Sequence, residues 1–248
     1  MTTSTRTTGR IALGVVLAAT ALATSSCGIV DSAAGLVGGD PAAQPAAAER
    51  RTPDPISSEF TDDGTVQAHL DVRGADDIDV VLTMYPTART PRTHEWHPKG
   101  GKYFTYTLQA FDTSRGERDP FDSKREVYLG DLDVSSVVIG EDGKRDRKAD
   151  EPYRLDAEAR DVTLDPEPAG NDDGMLITSP KGSFELQEQK LGSVPRGTRG
   201  VELTFDAVVF VETSAGSDTF DRRTVSTDVP VGIFDSRERT TSDAVTRD

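Results

Sequence analysis

The sequence has one cysteine, Cys27, among its 248 residues, and it therefore contains no disulfide within the chain. Exported domains usually carry their cysteines in pairs, so a single cysteine near the N-terminus needs another explanation. The sequence also lacks the G-x-S-x-G motif of hydrolases, a phosphate-binding glycine loop and a dinucleotide-binding fingerprint. Without these motifs, the sequence favours a protein that is not an enzyme.

Positive charge is scarce as well. There are 28 Lys and Arg against 43 Asp and Glu, which gives a formal net charge of −15. Nucleic-acid binding depends on Lys and Arg that neutralise phosphates, so no nucleic-acid partner is expected, and anionic lipid headgroups are disfavoured too. A partner attracted by charge would be cationic, such as a metal ion or a basic protein; otherwise the acidic surface simply keeps the domain soluble.

The N-terminal apolar run is too short to cross a membrane. Residues 11–22, IALGVVLAATAL, are twelve apolar or small residues, whereas a membrane-spanning helix needs about 20. The run follows a start with two arginines and no acid, and small residues come after it, which is typical of a signal peptide. Cleavage at the A-x-A sequence of residues 21–23 would release a soluble, secreted protein that begins at Thr24.

Residues 25–28, SSCG, place the single cysteine directly behind this run. The arrangement resembles the lipobox of bacterial lipoproteins. The resemblance implies that residues 1–26 are a lipoprotein signal peptide and that Cys27 carries a diacylglycerol. It also implies two or three acyl chains that hold the protein at the outer face of the cell membrane. A secreted form, and a disulfide from Cys27 to another protein, stay open as alternatives. The composition, rich in Ala, Gly, Arg and Asp, is typical of GC-rich actinobacteria.

The rest of the chain divides into three parts by composition. Residues 27–57 are rich in Ala, Gly and Pro and predict a flexible tether, which would span about 30 Å on average. Residues 58–235 are long enough to form one domain with a hydrophobic core. Residues 236–248 are polar and predict a disordered tail.

Residues alternate between apolar and polar through most of the domain, which predicts β-strands. The clearest case is GVELTFDAVVFVET at residues 200–213, followed by a turn and a second alternating segment, so an antiparallel hairpin is expected. Residues 126–139 predict one long strand, or two strands with a break near Gly130 or Ser135; a bulge at Gly130 would shift the face on which the following side chains lie. The predicted strands are residues 65–72, 78–85, 102–111, 126–139, 161–165, 182–187, 200–213 and 219–234. No helical period with caps appears, so the predicted fold is all-β, a two-layer antiparallel β-sandwich of seven to nine strands, broadly immunoglobulin-like.

The segment THEWHPKGG, residues 93–101, is the main candidate for a ligand-binding site. His94 and His97 could share a metal ion, with Glu95 or His69 as the third protein ligand that a zinc site needs. Their spacing is one residue shorter than that of the HExxH zinc motif, and flanking prolines disfavour the helix that this motif requires. Trp96 could instead contact a peptide or a glycan. The structural alternative is an exposed loop with Trp96 folded over the edge of the domain.

Acidic loops at residues 62–64, 76–79, 141–143 and 171–174 supply the carboxylates that calcium prefers. None of them matches the EF-hand pattern, and each is also an ordinary turn sequence. No cofactor is expected, and a structural calcium ion stays open without a preferred position.

Together these features predict a lipid-anchored extracytoplasmic lipoprotein whose sandwich domain binds or scaffolds a protein partner at the cell envelope. This function would require an exposed apolar patch or an open sheet edge that can accept a strand. A metal- or small-ligand-binding module is the alternative, and it would require a concave pocket near Trp96 and His97 or at the acidic loops. A secreted hydrolase is the least favoured function and would require a cleft with paired titratable groups.

Overall fold

The computed structural model of the protein describes residues 54–87 and 94–235. The predictions made for residues 1–53, including the signal peptide and Cys27, and for residues 236–248 lie outside the described residues. In chain order, the helices and strands are α1 (Glu59–Asp63), β1 (Val66–Asp71), β2 (Ile78–Pro86), β3 (Lys102–Asp112), β4 (Val127–Ile139), β5 (Arg145–Asp146), β6 (Leu155–Glu158), α2 (Ala159–Val162), β7 (Gly170–Asn171), β8 (Gly174–Leu176), β9 (Phe184–Leu191), β10 (Gly200–Glu212) and β11 (Phe220–Gly232).

The strands form two antiparallel sheets that pack face to face. The first sheet has the order β1-β2-β3-β9. The second has seven strands, ordered β11-β10-β4-β8-β7, with β5 and β6 also paired to β4. This confirms the predicted all-β, two-layer antiparallel sandwich, but the described residues form eleven strands where seven to nine were predicted, because β5, β7 and β8 are only two or three residues long and show no alternation. Within the described ranges, no helix is long and apolar enough to cross a membrane.

The β10–β11 hairpin is the longest regular feature of the second sheet. Its register runs without interruption from the Gly200–Gly232 pair to the Glu212–Phe220 pair, as the alternating sequences predicted. Every second side chain of β10 faces the core and is at most 3% exposed; these are Val201, Leu203, Phe205, Ala207, Val209 and Val211. The strand forms because burial of these six side chains compensates the backbone entropy that is lost on ordering it.

A β-bulge interrupts the pairing of β4 with β10 near Gly130, one of the two positions at which the sequence left a break open. Ala207 pairs with Leu132 and Val209 pairs with Leu129, so β4 has one more residue than β10 between these pairs. Gly130 lies in this interval, where an added Cβ atom would be 3.0 Å from the Phe210 ring. The glycine therefore allows the bulge and the close approach of the neighbouring strand.

Aromatic side chains fill one region of the interface between the sheets. The ring of Tyr106 lies 5.1 Å from that of Phe205 and 5.9 Å from that of Phe184, measured between centroids. The ring of Phe104 lies 5.1 Å from that of Tyr153. These contacts join β3 of the first sheet to β10 of the second, which is how the two layers share one core.

Two details of the sequence prediction are corrected. The predicted strand at residues 161–165 begins within α2, a single helical turn in which the Thr163 N–H donates to the Ala159 carbonyl at 3.1 Å. Five residues are too few for strand alternation to decide the conformation against such a local hydrogen bond. Helix α1 was not predicted either, because a five-residue helix shows no period; it is set by Ser58, whose Oγ accepts from the Thr61 N–H at 3.1 Å.

The domain also includes residues that the sequence assigned to the tether. The Ile56 N–H donates to the Arg199 carbonyl at 3.0 Å, and Arg199 Nε donates to the Asp54 carbonyl at 2.8 Å. The Ile56 side chain occupies the space beside Gly200, where a Cβ atom would collide with it. These contacts attach residues 54–57 to the start of β10.

Candidate functional site

The structure places Trp96 in the core, with 2% of its surface exposed. Its ring lies 4.9 Å from that of Phe60 and 6.1 Å from that of Phe104. Its backbone forms an isolated bridge with Ile233, and its carbonyl accepts from the Phe234 N–H at 2.7 Å. The indole is therefore a structural plug at one end of the sandwich, and it is not presented to solvent for contact with a peptide or a glycan.

The two histidines beside Trp96 are half-buried and face different neighbours. His97 Nδ1 lies 2.8 Å from the Phe234 carbonyl, so Nδ1 carries the proton and donates. The His94 ring lies over Gly64, where an added Cβ atom would be 3.0 Å from His94 Nδ1. His69, the other proposed metal ligand, pairs with Asp79 at 2.8 Å between β1 and β2. In residues 54–87 and 94–235, no three or more His, Cys, Asp or Glu side chains are placed to hold a metal ion.

Lys102 stabilises the loop that carries these residues, and sequence reasoning missed it. Its side chain is fully buried at the start of β3, and Nζ donates to the carbonyls of His97, Pro98 and Gly100 at 3.2–3.3 Å. Burial lowers the pKa of this ammonium, and the charge of Lys190 lowers it further. The ammonium thus acts as a fixed donor for three loop carbonyls, a role that alternation of apolar residues along β3 does not reveal.

One of the proposed calcium loops, residues 171–174, lines a depression of about 170 Å³ at the bulge of β4. Acidic side chains surround it, and the Phe210 ring forms part of its wall. Arg160, the basic residue in this lining, donates from Nη1 to the Asn171 carbonyl at 2.9 Å. The acidic members of the lining are Asp131, Glu158, Asp172 and Asp173.

A buried carboxylate at the other end of β10 has a structural role. Glu212 is 2% exposed, and its two oxygens accept from the backbone N–H groups of Glu126 at 3.0 Å and Asp218 at 3.2 Å. Nearby, the Tyr128 hydroxyl donates to Glu126 at 2.5 Å, and burial together with this contact raises the pKa of Tyr128. These groups fix the hairpin turn between β10 and β11.

The strongest candidate surface is the outer edge of β11, because among the described strands it pairs with β10 alone and ends the second sheet. The direction of its backbone groups follows from three residues. The Ile233 N–H points toward the β10 side and donates to the Arg199 carbonyl, whereas the Gly232 N–H points away and donates to Thr61 Oγ1 at 2.7 Å. Pro230 has no N–H. Since backbone groups alternate along a strand, the even-numbered residues of β11 direct their N–H and C=O groups to the outside.

The outer edge is closed at one end and open at the other. Toward the C-terminus, Thr61 and the Trp96 carbonyl occupy the outward N–H groups of Gly232 and Phe234, and Pro230 contributes none. Toward the N-terminus lie four outward residues for whose backbone N–H the described part of the chain supplies no partner: Arg222, Thr224, Ser226 and Asp228. We call residues 222–228 the open edge.

The side chains of the open edge divide cleanly between the two faces of the sheet. Val225 is 1% exposed and anchors the strand in the core, whereas the four even-numbered side chains are exposed. Beside the strand, an open groove of about 340 Å³ is lined by Thr224 and Ser226 and, across from them, by Asp71 and Arg73. A strand whose outward backbone donors find no partner in the described ranges, beside an open groove, has the geometry that accepts an additional strand.

Comparisons with known proteins give no relative from which a role could be transferred. No protein-family model matches the chain, and no curated protein matches it either.

Proposed function

We propose that this chain is a lipid-anchored extracytoplasmic lipoprotein whose sandwich domain is a non-catalytic binding module, and that a partner adds a strand to the open edge of β11. The observation that carries the proposal is the row of four outward backbone N–H groups for which the described residues supply no partner, on a strand held in place by buried valines. Natural edge strands are commonly covered or interrupted, because unpaired backbone groups recruit other strands. Within residues 54–87 and 94–235, the C-terminal end of β11 is covered in this way and residues 222–228 are not.

With the proposed anchor, weak binding at the open edge of β11 is sufficient for function. A domain held by acyl chains at Cys27 stays close to the membrane, and the high effective concentration there lets weak contacts form a stable complex with another envelope protein. The net charge of −15 supports a protein partner rather than nucleic acid or an anionic lipid surface.

The anchor is tested by measuring the mass of the N-terminal peptide and the membrane partition of Cys27→Ser in the native cell. We expect a diacylglyceryl adduct on Cys27 in the unchanged protein and release of the variant into the culture fluid. An unmodified thiol on a protein found free in the medium would contradict the anchor and favour the secreted form.

The edge is tested by placing a photo-crosslinking residue at Thr224 in the native cell and comparing Ser226→Pro with Ser226→Ala. Proline removes one outward N–H but is tolerated on an edge strand, as Pro230 shows, and alanine keeps the N–H. We expect crosslinks to a defined protein that are lost with proline and kept with alanine. Equal crosslinking in both variants would contradict strand addition.

The acidic depression beside Gly130 supports a second candidate function, binding of a small cationic ligand. Four carboxylates line it, and the one arginine there is turned toward a carbonyl. Spermidine should raise the melting temperature if this function holds, and Asp172→Asn should reduce the shift. No shift with spermidine would contradict it.

A further inference from the structure

The open edge of β11 is self-complementary, and we infer that it pairs with the same edge of a second copy to form a symmetric dimer. This inference rests on the proposed strand-accepting role of the edge and names its occupant. A two-fold dimer uses the same patch on both copies, so each contact must appear twice. The sequence of β11 meets this requirement in one register.

In this register the two β11 strands run antiparallel, and Val225 of one copy lies opposite Val225 of the other. The numbers of two opposed residues therefore add to 450. Thr224 then lies opposite the partner's Ser226, and Arg222 lies opposite the partner's Asp228, with both pairs repeated by symmetry. All of these are outward residues, so each opposed pair exchanges two backbone hydrogen bonds. The side chains of each pair lie on the same exposed face, where opposite charges attract.

Neighbouring registers fit less well. A shift by one pair in one direction places Arg222 opposite the partner's Pro230, which has no N–H to donate. The same shift in the other direction places Arg222 opposite the partner's Ser226 and leaves Asp228 opposite the partner's Phe220. Only the register around Val225 pairs both charges of the open edge with opposite charges.

The local charge of the edge also favours a second copy. The chain as a whole carries −15, so most of its surface repels a copy of itself. Strand β11, FDRRTVSTDVPVG, contains two Asp and two Arg and is neutral. Arg222 is exposed, and the half-exposed Asp228 carboxylate accepts from Thr204 Oγ1 at 2.7 Å and lies 3.7 Å from Arg145 Nη2 within its own chain.

Two existing contacts must adjust when the edges pair. The Arg222 carbonyl accepts from Arg223 Nη1 at 3.2 Å, and this exposed contact would be exchanged for a backbone hydrogen bond from the second copy. Asp228 Oδ2 lies 3.7 Å from Arg145 Nη2, and the second copy's Arg222 would share or replace this ion pair. The added strand would enter the groove beside Thr224 and Ser226, whose far side is formed by Asp71 and Arg73 at the end of β1. No rearrangement of β10 or of the core is required, because the inward groups of β11 keep their partners.

The test uses the purified full chain with Cys27→Ser, examined by sedimentation equilibrium over a range of concentrations. We expect a reversible dimer of twice the 26.6 kDa chain mass. Arg222→Asp and Asp228→Arg should each weaken dimerisation at least tenfold, because each places like charges opposite one another. Arg118→Asp, an exposed charge change outside β11, is the matched control and should leave the dimer unchanged.

The charge-reversed variants also test the register. An equimolar mixture of Arg222→Asp and Asp228→Arg should form a heterodimer, since the two acids of one copy then face the two arginines of the other. The double variant should recover the homodimer. A dimer whose stability is unchanged by all of these substitutions would overturn the inference. So would a chain that stays monomeric at about 100 μM, well above the micromolar dissociation constants of ordinary specific contacts.

The outcome is separable from that of the proposed function. A monomeric chain whose position 224 still crosslinks to a different protein, in a manner sensitive to Ser226→Pro, would refute the dimer and keep strand addition. A dimer sensitive to charge reversal, without crosslinks to other proteins, would identify the second copy as the occupant of the edge.

Discussion

Replacement of Tyr106 by phenylalanine removes a single oxygen from the centre of the core. The Tyr106 side chain is fully buried between the sheets. Its hydroxyl lies near that of Tyr153, which itself donates to Gln189 Oε1 at 2.8 Å, but forms no hydrogen bond of good geometry with the part of the chain that the structure describes. A buried polar group without a partner costs about 1–3 kcal/mol of desolvation. We therefore expect Tyr106→Phe to raise the free energy of unfolding by about 1 kcal/mol at pH 8, since the ring keeps its contacts with Phe184 and Phe205.

The pH dependence gives a sharper test. Burial raises the pKa of Tyr106 well above 10, and the neighbouring Tyr153 raises it further. Above pH 10 the unfolded state loses this proton before the folded state does, so the stability of the unchanged protein falls as the pH rises. From a pKa of about 10 in the unfolded chain, the loss from this one group at pH 11 is about 1.4 kcal/mol. The variant has no such group, so its advantage should widen by this amount between pH 8 and pH 11.

The assay is urea unfolding of both proteins at pH 8, 10 and 11. Both proteins carry every other titrating group, so the difference between them isolates Tyr106. Tyr103→Phe is the matched control, because it removes a hydroxyl from the exposed side of the same strand, and it should change the stability at pH 8 by less than about 0.5 kcal/mol. A Tyr106→Phe protein that is less stable at pH 8, with a difference that does not grow with pH, would refute the view that this hydroxyl is buried at a cost.

Two further predictions concern residues that fix the loops. Lys102→Met should lower the free energy of unfolding by about 2–3 kcal/mol, because three loop carbonyls lose their donor. Lys99→Met, in the exposed part of the same loop, is the control and should change the free energy of unfolding by less than about 0.5 kcal/mol. Equal effects of the two substitutions in thermal or urea unfolding would contradict the role of Lys102. Gly174→Ala should cost about 3 kcal/mol or more, since a Cβ atom there would collide with the Leu129 carbonyl at a φ of 145°. Gly216→Ala, at a φ of 73° in open space, should cost only about 1–2 kcal/mol. Urea unfolding measures both costs, and equal values would contradict the collision expected at Gly174.

The sequence predicted the strands well where the signal was local. Six alternating apolar residues in β10 placed that strand and its inward face correctly, and of the alternatives left open for residues 126–139 the structure has one strand with a bulge at Gly130. Both features depend on residues close together in the chain. The short segment at residues 161–165 was predicted wrongly, because five residues with weak alternation do not outweigh the local hydrogen bond of α2.

The environment of the candidate ligand site is decided by contacts between residues that are far apart in the sequence. Trp96 is flanked by histidines and prolines, which suggested an exposed loop, but its ring is buried by Phe60 and Phe104 and its backbone is held by the Ile233 segment. These residues are far apart in the sequence. A rare aromatic in a polar loop therefore carries no sign of whether it faces solvent or plugs the core.

The sequence by itself determined the strand pattern, the acidic charge and the all-β fold, because alternation and composition are properties of neighbouring residues. Only the tertiary structure decided that β11 ends its sheet and that, among the residues it describes, nothing covers the outward N–H groups of residues 222–228. A strand in the middle of a sheet and a strand at its edge can have the same alternation, since a strand's position in the order is set by pairing between distant segments. For the same reason, the burial of Trp96 and the three carbonyl contacts of Lys102 became apparent only once the two layers had been brought together.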